Sequence, residues 1–349
     1  MKYAYATFLM RGDGYLPGAL VLAYALKLQT NYDCICLVTD DVSLRARLAL
    51  GLVYDKVIEI NELRIKSGVG IGRSDRNVLM TRFEALKLGA DGGLGCMYDK
   101  IVLLDADVLP VSGYDELFQL QAPAGILMER KEESYSPASN PTTFSRDTHC
   151  ASEDLPQRQA SAANGCPNEV FQAPSHESNL THTGHWSWHD LYNPICPHGA
   201  GIPKELTDRV RRDISNMGVN AGLWVLQPSM EEYGAVLVAL NSSEVTPLIK
   251  AFPWPEMQLA TLLWSGRWTN IDIRYCSIGG YPRPDVLYGM HFAGLKPWQF
   301  NNRSAMHYAN FPDFTLWRQY CAALYWSIPQ LREYPALQRL WEFCKKAGI

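Results

Sequence analysis

The chain has no apolar run long enough to span a bilayer, so no membrane partner is expected. It has no basic cluster either. Its 32 Lys and Arg are dispersed among 36 Asp and Glu, for a net charge of −4, which argues against nucleic acid. The first ten residues are a short strand-like run ended by Arg11-Gly12-Asp13 and lack the layout of a signal peptide. Nine cysteines is an odd count, which argues against a complete disulfide framework and makes a reducing cytoplasm the simpler setting. The stretch Ser67–Arg76 holds Gly68, Gly70 and Gly72 but no Gly-Lys-Ser/Thr, so it reads as a loop and not a phosphate-binding P-loop.

What is present is ordinary in bulk and specific in detail. Hydrophobic residues make up 47% of 349, enough for a substantial core. Strand and helix signals alternate: strands over Tyr3–Met10, Cys34–Thr39 and Lys56–Ile60, and helices over Tyr15–Gln29, from a Ser43 cap to Leu50, and over Val78–Leu88. That alternation predicts an α/β fold with a mainly parallel central sheet, whose ligands bind beyond the carboxyl ends of the strands.

Ile101–Leu104 reads as a buried strand, and Asp105-Ala106-Asp107 follows it. Residues two apart in extended chain point the same way, so both carboxylates lie on one side of a strand end. Like charges that close call for a cation, and hard oxygen ligands suit Mn²⁺ or Mg²⁺. A plain turn cap is the bland alternative. Two metal sites fit the pattern, a sugar-nucleotide site and the Asp-x-Asp site of haloacid-dehalogenase-like phosphatases. The phosphatase needs a downstream Gly-Asp-x-x-x-Asp, and none follows. Far along the chain, His291-Phe292-Ala293-Gly294-Leu295-Lys296-Pro297-Trp298 supplies a nitrogen ligand, a residue without Cβ that lets a phosphate approach, and a point charge for a diphosphate.

These segments, with Ala6–Leu20 and Asn220-Ala221-Gly222, resemble the family-8 retaining glycosyltransferases of the glycogenin and galactinol-synthase type. The opening is similar to glycogenin-like proteins of large DNA viruses, for which the setting would be the host cytoplasm. The resemblance covers residues 1–125 and 217–300. It implies a GT-A, Rossmann-like single large domain with an inserted segment and a C-terminal helical tail. It also implies transfer of glucose or galactose from a UDP-sugar to a glycan, polyol or protein acceptor. Asp105, Asp107 and His291 would hold the metal. Thr7, Phe8, Leu9 and Tyr15 would hold uracil, and Gly294 and Lys296 the diphosphate. Arg82, in place of the family's usual lysine, would join Asp105, Ala106, Ala221 and Gly222 at the donor. Asn220, Glu256 and Gln258 would serve the sugar, with Met257 where the family often has Asp. A self-glycosylating primer is an alternative, with Tyr275, Tyr281 or Tyr288 as acceptor. A catalytically weak glycan-binding protein is another, and a homodimer is conceivable for any of them.

The expected organisation is a nucleotide-sugar half over 1–128, an insertion over 129–217, an acceptor and metal half over 218–300 and C-terminal helices over 301–349. The insertion begins Ser-, Pro-, Asn- and Gln-rich, as a loop would. Its second half carries Trp186 and Trp188 and most of six histidines that lie between His149 and His198. These read as an acceptor-side element, with a zinc site as the second reading. The aromatic residues after Phe311 recur at helical spacing and read as core.

Overall fold

The computed structural model describes residues 1–65, 76–128, 196–214, 216–278, 287–299 and 312–346. The glycine-bearing loop, Trp186, Trp188, Tyr281 and every histidine of the insertion except His198 lie outside them.

Strands that are apolar on both faces need cover on both faces. Strands β1 (Tyr3–Leu9), β2 (Asp33–Val38) and β4 (Lys100–Leu104) are of this kind, and nearly every residue in them is buried. With β3 (Lys56–Glu59), β6 (Ala124–Met128), β7 (Gly218–Leu226) and β8 (Thr269–Asn270) they form a seven-stranded sheet in the order β3-β2-β1-β4-β7-β6-β8. The first four strands are parallel, and β7 runs antiparallel to both β4 and β6. A small second sheet of β5 (Val108–Pro110), β9 (Ser277–Ile278) and β10 (Gly289–His291) sits just beyond β4. Within it β5 pairs antiparallel with β10, so His291 lies opposite Val108, one residue past Asp107. This is the α/β architecture with a mainly parallel central sheet that the alternation of strands and helices implied.

Helix α1 (Leu16–Lys27) starts with Pro17 in its first turn and buries most of its length against the sheet. A Cβ on Gly18 would run into the Ala106 carbonyl and the Trp298 ring, so α1 can lie directly on the Asp105–Asp107 turn. Helix α2 (Leu44–Leu50) is capped as expected, the Ser43 hydroxyl accepting from the Ala46 amide at 3.1 Å. Asp13 accepts in turn from the Ser43 amide at 2.9 Å and from its hydroxyl at 2.6 Å, tying the β1–α1 loop to α2.

Observed strand and helix limits lie within two residues of those expected. The exception is residues Arg76–Leu88, which form a 3₁₀ helix and not an α-helix. Three residues per turn stacks Met80, Phe83 and Leu86 in one row, and all three are buried.

Past the unassigned stretch, the chain returns to the sheet edge at Cys196. The Cys196 carbonyl accepts from the Asn270 side-chain amide at 2.7 Å, and Ile202 bonds the Trp268 carbonyl at 2.7 Å. Helix α3 (Met230–Asn241) packs against the 3₁₀ helix Arg76–Leu88, and helix α4 (Pro255–Leu263) packs against β7. The tail is a pair of helices, α5 (Pro312–Ser327) and α6 (Pro335–Lys346). Phe314, Trp317, Tyr325 and Trp341 are core as expected, and Trp317 meets Trp298 with ring centres 5.5 Å apart. Trp326 departs from the stripe at 64% exposed, although its ring edges onto Trp341.

Candidate active site

Asp105 leaves the end of β4, and its amide donates to the Gly222 carbonyl of β7 at 3.0 Å. The Val108 amide closes a tight turn onto the Asp105 carbonyl at 3.0 Å, which points Asp107 to the same side. From β10, His291 arrives between them. Its Nε2 is 3.3 Å from Asp107 Oδ1 and 3.7 Å from Asp105 Oδ2. One potential ligand atom from each of the three residues lies within 4.8 Å of the other two. Two carboxylate oxygens and an imidazole nitrogen at this spacing suit a hard divalent cation, as Mn²⁺ or Mg²⁺ requires.

Glycine at 222 is a steric necessity. A Cβ there would stand 2.6 Å from both Cε1 and Nδ1 of His291 and 2.8 Å from Asn220 Oδ1. Asn220 holds the bend, its Oδ1 accepting from the Gly222 amide at 2.7 Å.

Two buried cations stand behind the carboxylates. Arg82 bonds Asp105 through one arm and the Ala221 carbonyl at 2.6 Å through the other. Burial works against its charge, but Asp105 and then Glu256 outweigh burial and raise its pKa. Lys296 bonds Asp107 and the Phe292 carbonyl, the latter at 2.5 Å. Burial opposes ionisation of Asp107, yet His291 and Lys296 hold its carboxyl below the usual range. Burial would lower the pKa of His291; the Cys276 sulfur and the Asp107 carboxylate overcome it and hold it up at about 10. A divalent cation would take the place of that proton.

The entrance is aromatic. Tyr15 is 38% exposed, its ring meeting Trp298 edge-on at 5.6 Å and lying 5.4 Å from Lys296 Nζ. Trp298 donates to the Gly14 carbonyl at 3.0 Å, pinning the closing motif to the β1–α1 loop. Among the described residues nothing lies within 4 Å of where a Gly294 Cβ would be, which leaves room for a ligand beside its backbone.

The structure thus brings together Asp105, Asp107, His291, Lys296, Arg82, Ala221, Gly222 and Asn220, with Tyr15 at the mouth. Other expected residues sit differently. The Thr7 hydroxyl donates to the Leu104 carbonyl at 2.8 Å, and the Leu9 side chain is wholly buried, so neither side chain is open to uracil; Phe8 is buried as well. Gln258 is 0% exposed, and main chain occupies its amide. It donates to the Ile214 and Asn216 carbonyls, each at 2.7 Å, and accepts from the Trp254 amide at 2.9 Å. Glu256, in the first turn of α4, is the member of that pair close enough to act on Arg82. Gln258→Ala should therefore cost about 2–4 kcal/mol of stability, since it strands two carbonyls and an amide. Denaturant unfolding measures this, and an unchanged midpoint would refute the bracing role.

Of the tyrosines considered as acceptors, Tyr275 and Tyr288 are buried in a stacked pair with ring centres 4.7 Å apart, and Tyr275 donates to Glu116 at 3.0 Å. Sequence reasoning missed the contact of Cys276 with His291, because one cysteine among nine carries no signal. It also missed Gly18 and the anchoring role of Trp298, for which the Pro297-Trp298 ending was the available clue.

No protein-family model matches the chain. An uncharacterised protein of Acanthamoeba polyphaga mimivirus is 25% identical over 309 residues, 85% of this chain and 83% of that protein. Neurospora crassa glycogenin is 32% identical over 118 residues, and human glycogenin-2 is 32% identical over 114. Those matches take in 33% and 32% of this chain but only 16% and 21% of the two glycogenins. A crystal structure of the galactosyltransferase LgtC with donor and acceptor sugar analogues aligns at a TM-score of 0.49 and 14% identity, over 93% of this chain and 96% of that one. Over about a third of its length the chain is similar to glycogenins, and over most of its length it is similar to a viral protein. Among the described residues no helix is long and apolar enough to cross a membrane.

Proposed function

We propose that the chain is a retaining, metal-dependent glycosyltransferase that moves a hexose, glucose or galactose, from a UDP-sugar to a glycan, polyol or protein acceptor. The observation that carries this reading is the convergence of Asp105, Asp107 and His291 at the carboxyl edge of the sheet. These three would hold Mn²⁺ or Mg²⁺, which when bound neutralises charge on the departing nucleoside diphosphate. Lys296 offers a point charge to the same diphosphate, and the open backbone at Gly294 lets its oxygens come close. Tyr15, part-exposed at the mouth, would offer its ring to uracil. Arg82 ties Asp105 to the Ala221 carbonyl, so the donor would meet a braced wall. Glu256 places a buried negative charge on that wall, where an oxocarbenium-like sugar would be stabilised. Buried Tyr275 and Tyr288 disfavour a self-glycosylating reading at those two positions.

In a melting-temperature panel with Mn²⁺, UDP should raise the transition by several degrees while GDP and ADP do not, because only a ligand selective for the native site stabilises it. UDP release from UDP-glucose or UDP-galactose should accompany the shift. Equal shifts from all three diphosphates would defeat the uracil site, and no UDP release from either sugar would defeat the reaction. Intact mass after the same incubation identifies the chain as acceptor only if it gains hexose.

A further inference from the structure

Each carboxylate of the site is shared. Asp107 turns one oxygen to His291 and the other to Lys296; Asp105 turns one to His291 and the other to Arg82. Asp107, His291, Arg82 and Lys296 are all buried. With Glu256 acting on Arg82, three carboxylates face two cationic side chains when His291 is neutral. A divalent cation placed among them reverses that balance and leaves a surplus positive charge in a buried setting, which an anion offsets. A nucleoside diphosphate is such an anion.

Of the two cations, only one is built to move. Arg82 is held by Asp105 and the Ala221 carbonyl, and its guanidinium lies 5.4 Å from the Trp224 ring centre. Its planar fork is fixed on three sides. Lys296 has a flexible stem and follows β10 on a turn. Its partners are Asp107, a carbonyl four residues back and the Tyr15 hydroxyl. The ring beside it belongs to part-exposed Tyr15, so the ammonium lies next to the mouth of the site.

We infer that Lys296 is passed between Asp107 and the donor's diphosphate, so that the divalent ion and the nucleotide bind as a coupled pair, each weakly alone. This rests on the function proposed above. Thermodynamic linkage makes the coupling reciprocal: Mn²⁺ tightens UDP by the same factor as UDP tightens Mn²⁺. A lysine that merely oriented Asp107 would have the opposite signature, since losing an orienting partner weakens a metal site by about 10–100-fold.

The test is Mn²⁺ titration, read by electron paramagnetic resonance, of the parent chain, Lys296→Met, Lys296→Gln and Lys296→Arg, each with and without UDP. Both neutral variants should bind Mn²⁺ alone at least about tenfold more tightly than the parent, because a nearby buried like charge is gone. They should bind UDP more weakly at saturating Mn²⁺ and show a smaller coupling factor. Lys296→Arg should keep the parent's Mn²⁺ affinity. Should the Met variant fail to fold, Lys296→Gln retains a donor for the Phe292 carbonyl and decides alone. Neutral variants that bind Mn²⁺ no more tightly than the parent overturn this inference and leave the proposed function standing. A parent chain that binds no Mn²⁺, with or without UDP, overturns both.

Discussion

Asp107→Asn should lower hexose transfer or donor hydrolysis by roughly 10²–10³-fold or more, the scale of losing one preorganised charge contact at a reacting site. The amide keeps the volume of the carboxyl but not its charge. It would therefore weaken any cation site shared with His291 at Oδ1 and lose the charge partner of Lys296 at Oδ2. The fold should survive, because the turn around residue 107 is held by main chain: Phe292 donates to the Asp107 carbonyl at 2.9 Å, and Val108 closes onto Asp105. UDP release with Mn²⁺ and a far-ultraviolet circular dichroism spectrum check the two halves of this expectation. Parent-level turnover by the folded variant would show that Asp107 is not a metal ligand.

Gly222→Ala should be nearly as damaging, although it introduces one methyl group and no charge. The new carbon would overlap the His291 ring, which is buried, faces Asp105 and Asp107 at Nε2 and has the Cys276 sulfur against it. The ring has little room to retreat, so it swings off the site or the β7 backbone gives way. Misplacing one ligand should cost about 10–100-fold in Mn²⁺ affinity. The overpacking should cost about 1–3 kcal/mol of stability. Calorimetric Mn²⁺ titration and thermal unfolding read the two separately. Unchanged Mn²⁺ affinity in a folded Gly222→Ala chain would mean that His291 does not bind the ion.

The first half of the sheet was legible because its signals are local. β1, β2 and β4 are short apolar runs, and Ser43 is a cap recognisable from its neighbours. Asp105 and Asp107 advertise themselves through period-two geometry at a strand end. His291 is different: nothing in its neighbours points to residue 105, nearly two hundred positions earlier, and only an ordered set of motifs joined them. The direction of β7 was not legible, since an apolar strand reads the same parallel or antiparallel. Nor was the 3₁₀ form of residues Arg76–Leu88, where a row of apolar residues three apart also fits one face of an α-helix. Gln258 shows a third kind of failure. The family resemblance implied sugar contacts, whereas the Ile214 and Asn216 carbonyls, far earlier in the chain, occupy the amide nitrogen, and such tertiary contacts leave no trace at residue 258 itself.

The mooring of Cys196 at the sheet edge bears on how such a chain can change over time. The main chain leaves β6 after Met128 and re-enters at Cys196 beside Asn270, whose strand is hydrogen-bonded to β6. Both ends of the intervening stretch are thus fastened to one frame by contacts that do not depend on what lies between. Closing a flexible loop across fixed ends grows harder only logarithmically, by about 0.6 kcal/mol for each doubling of length. Residues 129–195 can therefore be lengthened, shortened or rewritten while the register of β6 and β8 and the placement of Asp105, Asp107 and His291 stay as they are. In evolutionary terms the sheet is a chassis whose own contacts survive exchange of the sequence between Met128 and Cys196.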